Sequence, residues 1–197
     1  NKKYTETEAD LLVSGIFQDA KLNPMQNSLD QILGNRISQA VSVDEFTGKK
    51  AKKLRIYGNN KIKRVLLIGL GEKSKYNSDA SRSLAADISC YANALKLSTI
   101  KIDGDSFGLR KQYFPQAFAE GLVLGSYEFN DYKSKKDENV KTDLVTMYGN
   151  VDKKSLDKGF ILGTSVSFSR DLGNHPANIL TPSYLAKQAK NIAEDNS

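Results

Sequence analysis

Tryptophan is absent from this 197-residue sequence, and cysteine and histidine occur once each, as Cys90 and His175. A single cysteine excludes an internal disulfide and fits a reducing cytoplasm. One histidine and one cysteine cannot furnish a zinc site of the usual type, nor a Cys–His catalytic pair. Cys90 sits between Ile88 and Tyr91 in a helical pattern and reads as a small buried hydrophobe. Also missing is any apolar run near the roughly 20 residues that a membrane-spanning helix needs, so no membrane partner is expected. The start, Asn1-Lys2-Lys3-Tyr4-Thr5-Glu6, has neither an initiator methionine nor the apolar core of a signal peptide. It reads as a cloning or processing boundary. No serine stands in a nucleophile-elbow context. Asp10, Asp87, Asp103 and Asp143 are scattered, and no carboxylate pair has a spacing that would hold a metal.

What is present describes an ordinary globular protein. The chain is 39% hydrophobic and 26% charged, with a net charge of +6, and is long enough for one full domain and part of another. Residues 1–9 are polar and expected to fray. Leu11–Phe17 is mostly apolar, as a strand covered on both faces would be. Asn23-Pro24 marks a turn, and Leu29, Ile32, Leu33, Ile37 and Ala40 recur at helical spacing, predicting a helix over 28–40. Strands at 52–57 and 61–69 flank the turn cluster Gly58-Asn59-Asn60, predicting a hairpin. After a loop at 72–77, the pattern predicts a helix over 78–97, a strand over 98–103 and a helix over 116–129. Then come a charged loop at 133–137, a strand at Leu144–Tyr148 and a helix over 155–172. Ala117, Gly121 and Gly125, four apart, give the 116–129 helix a flat face that another element can approach closely. Strands separated by helices argue for an α/β fold with a largely parallel sheet, made mixed by the hairpin.

Two features invite a binding function. Gly69-Leu70-Gly71 follows a buried strand, but Ser74 stands where a dinucleotide loop has its third glycine. The plainer reading is that these glycines end the strand and turn the chain. Between Phe46 and Gly71 lie Lys49, Lys50, Lys52, Lys53, Arg55, Lys61, Lys63 and Arg64, with no acidic residue. These eight charges can track nucleic-acid phosphates, or they can be the solvated face of a hairpin whose lysines protect an edge strand. Only Phe46 and Tyr57 interleave with them, so base stacking is not expected.

The best-punctuated stretch is Arg170-Asp171-Leu172-Gly173-Asn174-His175-Pro176-Ala177-Asn178-Ile179-Leu180-Thr181-Pro182. Pro176 ends the preceding helix, and Thr181-Pro182 is a helix start that runs to about Asp195. Asp171 is the segment's one carboxylate, with Arg170 as its expected partner. His175, beside a proline on a loop, reads as a surface residue.

Three stretches together resemble the leucyl (cytosol) aminopeptidases, peptidase family M17. Phe46-Thr47-Gly48-Lys49 with Arg64-Val65-Leu66-Leu67-Ile68-Gly69-Leu70-Gly71 resembles paired segments of that family's N-terminal domain. The run from Ala119 through Gly121, Gly125 and Tyr127 to Tyr132-Lys133 resembles its Gly-rich helix and Tyr-Lys ending. The 170–182 stretch resembles the segment that leads into its catalytic domain, with Gly173 departing from the usual apolar residue. The resemblance implies a macro-like α/β domain over 1–152, a linker helix over 153–172 and the start of a C-terminal catalytic domain over 173–197. It implies a cytoplasmic, hexameric metalloaminopeptidase acting on peptide substrates, whose catalytic half holds two divalent ions, Zn or Mn. The family's Asn-Thr-Asp-Ala-Glu-Gly-Arg signature is nowhere in this chain, so no catalytic, metal-binding or cofactor residue carries over and the chain alone is expected to be inactive. The alternative is a stand-alone macro-like module for nucleic acid or an ADP-ribose-like ligand. The tail at 174–197 favours the aminopeptidase, because such a module has no use for it.

Overall fold

The computed structural model describes residues 8–111, 113–134, 142 and 144–195. The start of the 1–9 segment and most of the 133–137 loop lie outside these. Ala9 does not fray: it is buried and bridges Ile62.

Five strands, β1 (Leu11–Phe17), β2 (Lys53–Tyr57), β3 (Arg64–Gly71), β4 (Thr99–Asp103) and β5 (Leu144–Tyr148), form one sheet in the order β2-β3-β1-β4-β5. Only β2 runs antiparallel to its neighbour. The sheet is therefore mixed and largely parallel, as the order of elements implied. β1 is central, with Leu12 opposite Val65 on β3 and Leu11 opposite Ile100 on β4.

Both faces are covered, which is why β1 and β3 read as continuous apolar runs. On one face Leu11, Val13, Leu66 and Ile68 pack beneath α3 (Ser78–Ala94) and α4 (Phe114–Gly125), with Leu84, Ile88 and Phe118 among the facing residues. On the other, Leu12, Val65, Leu67, Leu54 and Ile56 pack beneath α1 (Pro24–Ile32) and α2 (Arg36–Val43) through Leu29 and Ile37.

The single helix expected over 28–40 is two. Gly34 and Asn35 both take positive φ, 65° and 61°, and break it. Asp30, buried at the end of α1, accepts hydrogen bonds from the amides of Ile37 (2.7 Å) and Ser38 (3.2 Å) and so caps α2. Asn23-Pro24 does not make a free turn but starts α1. The Asn23 side chain accepts from the Gln26 amide and the Gln26 side chain accepts from the Asn23 amide, both at 2.8 Å, a reciprocal cap with Pro24 in the first turn.

The helices α3, α4 and α5 (Lys153–Asn174) form a layer with α4 in the middle. Small residues set the spacing. A Cβ on Gly121 would lie 2.1 Å from the Arg82 carbonyl oxygen on α3, and one on Gly159 of α5 would lie 2.1 Å from the Gln116 carbonyl oxygen on α4. Arg82 also bridges α3 to α4 through Glu120 at 2.7 Å. The far sides of α5 stay open: Phe160, Ile161, Leu162 and Val166 are exposed. After α5 the chain turns at His175-Pro176 into α6 (Pro182–Asp195).

Cys90 is exposed, not buried, and its thiol donates to the Gly125 carbonyl at 3.2 Å. Its position, two residues past Ile88, turns it off the buried stripe of α3.

Candidate functional site

Three places merit a functional reading. The first is the crevice at the carboxyl ends of β1 and β4, where the strand order reverses and open α/β sheets bind their ligands. Here it is filled by the protein. Asp103, 3% exposed, accepts from the Ser14 hydroxyl at 2.7 Å, the Asn23 side-chain amide at 3.2 Å and the Ser106 amide at 3.3 Å. Gln26, also buried, donates to Ser14 Oγ (2.8 Å) and to the Gly15 carbonyl (2.9 Å), and the Ser106 hydroxyl accepts from the Gly15 amide (2.8 Å). Each buried polar atom named here has a partner, and the network joins β1, β4 and the start of α1.

The second place is the basic hairpin. In β2, Lys53, Arg55 and Tyr57 point outward while Leu54 and Ile56 are buried, and the Arg55 guanidinium lies 5.3 Å from the Tyr57 ring. Tyr57 pairs with Arg64 and Lys53 with Ile68, so Arg64 and Lys53 mark opposite ends of the hairpin. Lys49, Lys50 and Lys52 lie on a segment that crosses β3 so closely that a Cβ on Gly69 would sit 2.0 Å from the Lys49 carbonyl oxygen. The Ala51 amide donates to the Gly69 carbonyl and the Gly71 amide to the Gly48 carbonyl. Gly69 and Gly71 thus admit a neighbouring backbone rather than a phosphate, and β3 runs through both. Lys61 is exposed in the turn. Lys63 is held by Asp10 at 2.7 Å and is not a free charge. The eight residues are spread over the segment before β2, the edge strand β2, the turn and the start of the inner strand β3.

The third place is the α5–α6 corner. Asp171 is not paired with Arg170. It accepts from the Tyr127 hydroxyl at 2.7 Å, while the Asn174 amide donates to the same hydroxyl at 3.0 Å and Arg170 lies 5.4 Å from the Tyr127 ring centroid. Burial, and then the bond to Asp171, push the Tyr127 hydroxyl's pKa up. His175 is not a bare surface residue either: it is half-buried, its Nδ1 is 2.7 Å from the Tyr132 hydroxyl, and Phe129, Tyr132 and Tyr184 surround its ring edge-on at 5.5–6.0 Å. These partners lie about 40 positions away in sequence, which no local pattern could show.

No group of three His, Cys, Asp or Glu side chains among the described residues converges to hold a metal ion. Asp103 and Asp171 are engaged by hydroxyl and amide donors, the wrong surroundings for a two-metal centre.

Comparison with known proteins decides what these parts belong to. Residues 13–136 match the model for the N-terminal domain of the cytosol aminopeptidase family. The chain belongs to that family. A probable cytosol aminopeptidase of Persephonella marina is 34% identical over 187 residues, covering 90% of this chain but 38% of that protein. A tomato leucine aminopeptidase superposes with a TM-score of 0.78 at 26% identity, over 99% of this chain and 41% of the other. A bottromycin maturation enzyme solved in complex with Mn shares the fold, with a TM-score of 0.72 at 20% identity, over 95% of this chain and 36% of the other. The chain thus spans about 40% of the length of such relatives and corresponds to their N-terminal domain. None of its described helices is long and apolar enough to cross a membrane.

Proposed function

We propose that this domain serves a cytoplasmic, metal-dependent leucyl aminopeptidase that removes N-terminal residues from peptides, as the accessory half rather than the catalytic one. The observation that carries this is the family match over 13–136, in a chain that spans only 38% of a relative's length. In this reading residues 1–152 are the folded α/β body, 153–172 the linking helix and 173–197 the approach to the catalytic domain. The partners are that catalytic domain, with its two Zn or Mn ions, and further copies in a hexamer. The exposed Phe160, Ile161, Leu162 and Val166 of α5 support a partner on that helix, since a helix apolar on several sides is one made to be covered. The purified 197-residue chain should release no leucine from a leucyl anilide with Zn²⁺, Mn²⁺ or Co²⁺ added, whereas a polypeptide of the relatives' full length should do so until a chelator is added. Chelator-sensitive turnover by the short chain, in a sample shown free of other peptidases, would sink the assignment.

The outward Lys53 and Arg55 with the Arg55–Tyr57 stack support a second, weaker reading, as a contact for nucleic-acid phosphates. Such binding should be non-specific, fall steeply with salt and vanish on charge reversal at Lys49, Lys50, Lys52 and Lys53. Salt-resistant, sequence-dependent binding would refute it. The macro-like ligand reading loses ground, because the switch-point crevice is already occupied by the Asp103 network.

A further inference from the structure

The stretch 127–132, which follows α4, and the stretch 170–184, which spans the end of α5 and the start of α6, meet at the α5–α6 corner. Besides the ring contacts of Phe129 with His175 and of Arg170 with Tyr127, two hydroxyls join them. Tyr127 donates to the Asp171 carboxylate and accepts from Asn174, on the last turn of α5. Tyr132 shares a hydrogen bond with His175, the residue at which α5 ends, and His175 in turn packs edge-on against Tyr184 in the first turn of α6. On α6 itself Leu185 and Ile192 are about half exposed. We propose that Tyr127 and Tyr132 form a two-point latch that fixes the direction in which the chain leaves the α/β body. Tyr127 pins the end of α5, and Tyr132, through His175 and Tyr184, pins the start of α6.

Both hydroxyl bonds lie outside the two clusters of buried residues that cover the sheet, so losing both should act locally. A bond to a charged carboxylate changes a local opening equilibrium by roughly tenfold or more. The inference stands whether or not the aminopeptidase reading holds. It is tested on the 197-residue chain by hydrogen exchange, comparing the parent with Tyr127→Phe, Tyr132→Phe and the double variant. These changes remove the hydroxyls but keep every ring, and so the packing against Phe129, His175 and Arg170. The double variant should speed exchange over 175–190 about tenfold or more, each single variant less, with β1 and β3 as protected as in the parent. Tryptic cleavage at Lys187 and Lys190 should rise in step. Unchanged exchange over 175–190 would overturn the proposal, since the rings alone would then hold the corner. Loss of protection that spreads to β1 and β3 would overturn it too, since the hydroxyls would then support the whole domain and not the exit.

Discussion

Replacing Asp103 by alanine tests whether the switch-point network is structural. The carboxylate receives three hydrogen bonds, from Ser14, Asn23 and Ser106, in a site only 3% exposed. A hydrogen bond to a charged group contributes about 1.5–3 kcal/mol, and a buried donor left without a partner costs about 1–3 kcal/mol. The three do not add, because the Ser106 amide also donates to the Asp103 carbonyl at 3.2 Å and keeps that bond, while the Ser14 hydroxyl proton is left without its acceptor. A net loss of about 3–5 kcal/mol follows, close to that for breaking a buried charged pair. With a urea m-value of about 2 kcal/mol per molar, the far-UV circular dichroism midpoint should fall by roughly 1.5–2.5 M. Ser14→Ala alone should cost less, and the Ser14/Asp103 double-mutant cycle should show a coupling of roughly 1–2 kcal/mol. A loss below about 1 kcal/mol for Asp103→Ala would refute the reasoning. The network would then not hold β1 to β4, and a crevice kept polar without benefit to stability would have to be kept for a ligand.

Gly121→Ala should lower the melting temperature by roughly 5–10 °C, because its methyl would lie 2.1 Å from the Arg82 carbonyl oxygen and force α3 and α4 apart, outweighing the better helix propensity of alanine. Gly173→Ala, with nothing within 4 Å, is the control and should be neutral or slightly stabilising; equal behaviour of the two would contradict the packing account. Asp10 joins the starts of three strands, bonding Lys63 near β3 and the Ser98 and Thr99 amides at β4, and the Lys63 bond above all holds its pKa below the usual carboxylate value. A lowered native pKa adds stability that is fully present above about pH 4 and fades as pH falls through the native value. Asp10→Asn should therefore flatten the acid limb of a stability–pH curve, and an unchanged limb would count against it.

The order of elements and the apolar runs at 11–17 and 65–69 made the sheet legible, since full burial writes itself as continuous hydrophobicity. The flat glycine face of α4 was legible too. The break at Gly34 was not, because apolar spacing runs across it and the signal was two residues able to hold positive φ. The reciprocal Asn23–Gln26 cap was written in the sequence and outweighed there by the Asn-Pro pair. Partners of Asp171 and His175 were out of reach, because adjacency suggested Arg170 while the fold supplied Tyr127 and Tyr132 from another helix end.

The position of β1 has a consequence for synthesis. Of the five described strands it comes first in the chain and lies at the centre of the sheet, yet its neighbours begin only at Arg64 and Thr99. At roughly 5–20 residues per second, a ribosome exposes this mostly apolar segment for seconds before either of its neighbours in the sheet can flank it. The β2–β3 hairpin is local and can form first, presenting β3 as a template on which β1 docks. A nascent chain stalled between β1 and β3 should therefore be the species most prone to aggregate and the one most in need of a chaperone.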